Sequence, residues 1–276
     1  MTAPLALTIT DLTLAGLLLL INAGISIAFS LGLERALAIA AVRLVVQLSL
    51  IGGVLRLVFA SGSLWLTAAA GLVMALVAAF EAGQRQSPRF KGWLAEGLSL
   101  ATLLTAGTLA TLYAVAVVIG PSPSTAPGLL TSFEPRHVLP ILGMVLGNTL
   151  TAVSLTLATL VDLARRERGA IEAQLSLGAT LSTACKPIVR RALKTAMMPV
   201  INGMAVAGIV TLPGMMTGQI LAGADPGDAA RSQIMILFVI SGAAGLAALM
   251  TTLGALRLLG DARQRLRLDR LESTAD

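Results

Sequence analysis

Apolar residues along this chain fall into seven long runs, at about 10–32, 37–59, 64–82, 94–119, 138–162, 196–222 and 231–258. Each run is closed by charge, by Gly/Pro clusters or by both. A helix needs about 20 apolar residues to cross the hydrocarbon of a bilayer, and backbone groups at that depth must be satisfied within the segment. The pattern therefore predicts an all-α polytopic membrane helix bundle of about seven transmembrane helices. The ten-residue alternation of a membrane barrel is absent. Two connections are long. Gly120 to His137 is rich in Pro and Ser and reads as an extended loop, whereas 164–195 shows helical patterning. The tail, 260–276, alternates Arg with Leu and acidic residues and predicts a short amphipathic helix at the membrane surface. No fixed-period repeat divides the chain, so 1–276 reads as one transmembrane domain. The sixth run contains Pro213-Gly214. Proline removes a helix hydrogen bond and clashes with the preceding turn, so a kink or break is expected near Ile209–Val210.

Composition narrows the function. Of 276 residues, 56% are hydrophobic and 12% charged, with mean hydropathy +0.86. Soluble domains carry about 25% charge, which sets a water-soluble enzyme aside. Aromatics at 3% leave few platforms for stacking bases. The net charge of +6 would suit nucleic acid, but placement decides otherwise. Sixteen of the twenty Lys+Arg lie in the connections around Arg35, 84–93, 163–195 and after Leu256, and the opposite connections hold only Arg136 and Arg231. Basic residues gather on the cytoplasmic side. The N-terminus is thus expected outside and the C-terminus inside, which needs an odd number of spans, and the partner is a bilayer rather than nucleic acid. The first cation is Arg35, so the opening run reads as a retained span. Cys185 is the lone cysteine, which excludes an intrachain disulfide. It is either a small filler residue or a thiol activated by neighbouring cations such as Lys186.

The 164–195 connection carries the most chemistry. As a helix it places Ile171, Leu175 and Gly178 on one face, with Arg168 and Glu172 at i,i+4 spacing beside it. Gly178 ends that helix, and 184–195 continues as a basic helix towards the membrane. Such an element suits a cytosolic partner's groove or a lipid surface, and pattern alone leaves both open. Within the spans, polar residues are costly and usually face protein or water. Arg43 and Gln47 share a face of the second run; Arg43 requires a partner, for which Glu81 and Glu96 are the candidates. Asn148, Thr149, Thr151 and Ser154 in the fifth run are interhelical glue or a wet pathway. Gly143-x-x-x-Gly147 and Gly214-x-x-x-Gly218 permit close approach of a neighbour. After the proline come Met215, Met216, Thr217 and Gln219. Two thioethers suit soft Cu(I) and equally suit packing, so no metal site is defined. Glu134 with His137, and Asp225 with Asp228, read as loop and turn residues. No Gly-x-x-x-x-Gly-Lys-Ser/Thr string occurs around the three lysines. The chain therefore lacks its own phosphate cradle and is expected to be no enzyme. A permease driven by a separate ATPase and an ion-coupled secondary transporter both fit, and the docking helix alone separates them.

Glu172-Ala173 followed by Gly178, with Ile188 ten residues later, resembles the EAA-loop spacing of ABC-transporter permeases. Gln174 stands in place of the second Ala, and Arg190-Arg191 where that motif has Leu-Pro. Gly147-Asn-Thr-Leu-Thr-Ala-Val-Ser-Leu155, Arg190-Arg191-Ala-Leu, Pro199-Val-Ile-Asn-Gly203 and Leu212-Pro-Gly-Met-Met-Thr-Gly-Gln-Ile-Leu-Ala-Gly223 are similar to the FetB-type iron-export ABC permeases. That family includes plant aluminium-tolerance membrane subunits. The resemblance implies an exporter of iron in a bacterial inner membrane, built from two permeases and two ATP-binding subunits. ATP and Mg would belong to the partner, and this chain would bind no cofactor. It implies a coupling helix at Ile171, Glu172, Ala173, Leu175, Gly178 and Ala179. The candidates for a translocation path or gate are Arg43, Gln47, Asn148, Thr151, Asn202, Pro213, Gly214, Met215, Met216 and Gln219. Another metal or a nucleotide-sugar is the alternative substrate, since the carboxylate and His cluster of a hard-cation pathway is missing.

Overall fold

The computed structural model describes residues 9–84, 90, 94–118, 135–261 and 263–271. Glu134, most of the long 120–137 loop, Arg85, Arg89, Lys91 and residues 272–276 lie outside these. The architecture is a helical membrane bundle, with no strand among the described residues. Ten helices are described: α1 (Ile9–Ala28), α2 (Glu34–Ser61), α3 (Leu64–Gln84), α4 (Leu94–Tyr113), α5 (Pro135–Arg166), α6 (Arg168–Ser176), α7 (Leu181–Ala184), α8 (Lys186–Val206), α9 (Gly214–Leu221) and α10 (Pro226–Leu259). α4 continues into a π-helical turn, Ala114–Val118. Five helices are long and apolar enough to cross a membrane, namely α2, α3, α4 with its π turn, α5 and α10; the apolar stretch of α1 is shorter. The seven runs of the sequence thus reappear as helices, with the sixth split in two.

The chain forms two compact units, residues 1–61 and 62–276. In the first, α1 and α2 are joined by a turn that Ser26 closes. The Ser26 hydroxyl donates to Glu34 Oε2 at 2.8 Å and accepts the Leu33 N–H at 2.8 Å. Gly32 takes φ +69° there, a left-handed conformation that glycine adopts without a Cβ penalty.

In the second unit α5 and α10 form the spine. α5 packs on α3, α4, α8 and α10, and α10 also packs on α4, α8 and α9. At 32 and 34 residues these two helices are about 48 and 51 Å long. Both exceed the ~30 Å hydrocarbon thickness, so each projects beyond it. Helix crossings are close where glycine removes a side chain. A Cβ on Gly107 of α4 would lie 2.9 Å from Leu146 of α5, one on Gly71 of α3 2.8 Å from Leu142, and one on Gly254 of α10 would overlap Leu98 of α4. Gly143 is close to Met74, as the small-residue spacing predicts, but Gly147, Gly214 and Gly218 have open space beside them. The Gly214-x-x-x-Gly218 face therefore meets no neighbour among the described residues. One apolar core fills the end of the unit where Leu157, Leu160 and Val161 meet Ile188 and Leu259; a second, around Ile141, Val145, Ile236 and Ile240, fills the other end. Large apolar side chains such as Trp65, Leu72, Leu76 and Phe80 of α3 remain exposed, the surface that lipid rather than water accepts.

Candidate functional site

At the end of the second unit that carries Arg165, Arg166, Lys186, Arg190 and Arg257, hereafter the basic end, the chain builds a short lever. α6 runs for nine residues, and Ile171, 2% exposed, plugs its apolar face into the core that also takes Ile188 and Leu181, with Leu175 packed beside it. The expected Arg168–Glu172 pair forms at 2.8 Å. A second pair, Arg191–Glu167 at 2.7 Å, ties the α5–α6 corner to α8. Both are partly solvated, so each contributes only about 0–1 kcal/mol, and Ile171 provides the anchor.

Gly178 stops α6 as the sequence predicts. Its φ is +89°, its N–H donates to the Leu175 carbonyl at 3.0 Å, and the Ala179 N–H donates to the Gln174 carbonyl at 3.1 Å. These are the two bonds of a Schellman cap. Thr180 then caps α7 by accepting the Thr183 N–H at 3.3 Å. The turn leaves Ala173 and Gln174 exposed and Leu177 89% exposed. Leu177 escaped the sequence reading because it lies off the Ile171–Leu175 stripe; an apolar residue next to a helix-stopping glycine was the available signal.

The sixth run breaks where expected, and it breaks completely. α8 ends at Val206, Gly208 takes φ +83°, and its N–H donates to the Thr211 carbonyl at 2.8 Å. The N–H groups of Val210 and Thr211 both turn back to the Val206 carbonyl. Pro213 precedes α9, whose first turn is held by the Thr217 N–H and hydroxyl on the Pro213 carbonyl at 3.0 and 3.1 Å. Ile209, Val210 and Leu212 are exposed along the break. Gly208 is the residue here that pattern reading missed, since only a backbone dihedral singles it out. α9 ends in a second Schellman cap at Gly223, φ +95°. Asp225 proves to be the N-cap of α10, accepting the Gly227 N–H at 2.8 Å and the Asp228 N–H at 3.2 Å.

The remaining candidates divide by unit. Arg43 and Gln47 lie one turn apart on α2, in the first unit. On α5, Asn148 donates to the Met144 carbonyl at 2.8 Å and Thr151 to the Gly147 carbonyl at 3.1 Å, so each finds an acceptor within its own helix. Ser154, one turn further, is buried with its hydroxyl unpaired. Met215 packs against the second core beside Met144, Met197, Met204 and Met235, whereas Met216 is half-buried and outside it. Gln219 Oε1 is buried without a hydrogen-bond partner, and Asn202 is exposed on α8. Glu96 lies against Gly83, where a Cβ would come within 3.1 Å of its side chain, and its Oε2 is buried and unpaired. Among the described residues no group of three His, Cys, Asp or Glu converges on a possible metal position.

Cys185 sits at the α7–α8 junction with 0% exposure, and burial pushes its thiol up to about 11. The neighbouring cations do not activate it. At pH 7 about one thiol in 10⁴ is ionised at such a value, so maleimide should leave the folded protein unlabelled and react fully after denaturation. Rapid labelling of the folded protein would show that the junction opens.

A family model described as the Uncharacterised protein family (UPF0014) matches residues 9–259. The "Probable iron export permease protein FetB" of Escherichia coli is 31% identical over 266 residues, covering 96% of this chain and 97% of that protein. The "UPF0014 membrane protein STAR2" of rice is 35% identical over 80% of this chain and 73% of its own. The "Protein ALUMINUM SENSITIVE 3" of Arabidopsis thaliana is 34% identical over 81% and 77%. No solved structure matches the chain.

Proposed function

This chain is a multi-pass membrane protein of the UPF0014 family, and from that premise we propose that it is the permease subunit of an ABC exporter, moving iron outward across a bacterial inner membrane. ATP is hydrolysed by a separate subunit, and two permeases assemble with two such subunits. The lever is the observation that carries this reading. α6 projects from the basic end, its inner face is anchored by Ile171 in a core continuous with α5, α8 and α10, and its tip presents Ala173, Gln174 and Leu177. Such an element is what a permease without its own phosphate-binding loop would use to receive force from a separate ATPase. The positive-inside rule puts the basic end in the cytosol, where an ATPase is found. Iron comes from the name borne by the E. coli relative.

The break between α8 and α9 serves as the gate in this reading. Irregular backbone at membrane depth is tolerated only against protein or water. Gly208 and Pro213 therefore mark a segment that faces a cavity or a second permease and can rearrange while α5 and α10 stay rigid. The test is ATP-dependent accumulation of radiolabelled iron in inside-out vesicles holding this chain and its ATPase, with other metals and nucleotide-sugars run in parallel. Uptake that needs both subunits and ATP supports the proposal; uptake by this chain alone, driven by an ion gradient, overturns it. Selective uptake of a nucleotide-sugar keeps the ABC mechanism and replaces iron.

A further inference from the structure

We propose that the described residues 260, 261 and 263–271 form a tie that locks the lever to the end of α10, with Gln264 as its positioning residue; this rests on the lever reading of α6. Alternation of Arg and Leu in Arg265-Leu-Arg-Leu268 has a period of two, the pattern of extended chain rather than of helix, and the described residues do not form the amphipathic helix expected of this segment. After α10 the chain turns back on itself. Gly260 and Leu266 pair as an isolated bridge, and the Arg267 N–H donates to the Leu259 carbonyl at 2.8 Å. Asp261 holds the turn by accepting the Arg263 and Arg265 N–H groups, each at 2.9 Å, and pairing with the Arg265 guanidinium at 2.7 Å. A short 3-10 turn, Leu268–Arg270, follows. The hydrogen bond from Arg267 holds the Asp269 carboxyl down to about 2.

Three contacts connect this folded segment to separate parts of the unit. At the apex Gln264 is held at φ +57°, unusual for a residue with a side chain. Its Oε1 accepts the Leu181 N–H at 2.8 Å, across 83 residues of sequence. That N–H opens α7 and has no partner in the Thr180 cap, which takes the Thr183 N–H instead. Leu181 also reaches over Gly260, where a Cβ would come within 2.5 Å of its Cδ2. Arg270 covers the last turn of α10 by donating to the Leu258 and Gly260 carbonyls at 2.8 and 3.2 Å. Leu271 pairs with Phe90 of the α3–α4 connection, and both are buried. A push on α6–α7 therefore reaches α10 through the tie as well as reaching α5 and α8 through the chain.

Gln264→Gly keeps the left-handed backbone and removes the acceptor, Gln264→Leu removes the acceptor alone, and Gln264→Glu retains it. Hydrogen exchange on the full chain in detergent should show about fivefold faster exchange at the Leu181 amide in the Gly and Leu variants, the loss expected for one hydrogen bond, with wild-type protection in the Glu variant. In the complex, the Gly and Leu variants should hydrolyse more ATP per substrate moved while co-purifying with the ATPase as wild type does. Equal Leu181 protection in wild type and Gln264→Gly, or an unchanged ratio of hydrolysis to transport, overturns the tie. The exchange measurement needs no ATPase, so a wild-type complex without ATP-driven flux would defeat the permease reading while exchange still judges the tie.

Discussion

Replacing Gly208 and Pro213 together by alanine should reduce ATP-driven flux by more than about tenfold, a change of about 1.4 kcal/mol in the limiting barrier, while the complex still assembles. Two local features keep α8 and α9 apart. Gly208 at φ +83° occupies a region that costs an L-residue about 1–2 kcal/mol, so alanine there favours ordinary helix. Pro213 offers no N–H and its ring opposes the carbonyl four residues earlier, at about 3 kcal/mol. With both replaced, 207–213 holds no glycine or proline to interrupt a helix. α8 and α9 would then merge into one helix over 186–221, about 54 Å long. That rod cannot rearrange at its centre. Neither residue lies in the lever, so co-purification with the ATPase should persist. Flux near the wild-type level would show that the break is a packing device without a part in gating. Pro213→Ala alone should give a smaller loss, because Gly208 still terminates α8.

The parts of this molecule that announce themselves in sequence follow from hydrophobic period and backbone-breaking residues. The apolar runs give the spans because hydrocarbon demands internally bonded segments. Gly178 and Pro213 give the lever's end and the break because each removes a local option from the helix. What was not legible depends on pairings distant in sequence. Nothing around Gln264 indicates that its amide meets Leu181, and nothing around Phe90 indicates Leu271. The tail also illustrates a choice of period. Arg and Leu alternate there at two, and Leu266 and Leu268 do reach the core, but short charged segments near a membrane invite the helical reading. Polar residues in spans were the least decidable from sequence. Asn148 and Thr151 turn out to bond their own helix, while the Ser154 hydroxyl and the Gln219 Oε1 are buried and unpaired. A stretch of sequence presents all four alike.

Gly178→Pro should abolish co-purification with the ATP-binding subunit and so abolish ATP-driven transport, with little change in the stability of the membrane bundle. Proline's φ near −65° is incompatible with the +89° of this position, and it removes the N–H that bonds the Leu175 carbonyl. The Schellman cap then opens, α6 loses its fixed angle to α7, and Leu177 leaves its place at the tip. The freed carbonyls lie at an exposed corner and can take water, so the cost stays local. Gly178→Asn is the control, because asparagine enters the left-handed region more readily than other residues; it should retain most binding. Leu177→Asp separates contact from geometry. An exposed leucine contributes almost nothing to folding, but burying one in a partner's groove contributes about 1.5–3 kcal/mol, and so its loss should weaken the complex roughly 10- to 100-fold. If Gly178→Pro and Leu177→Asp both co-purify and stimulate the ATPase as wild type does, α6 is not where the motor pushes, and the contact must be sought elsewhere on the basic end.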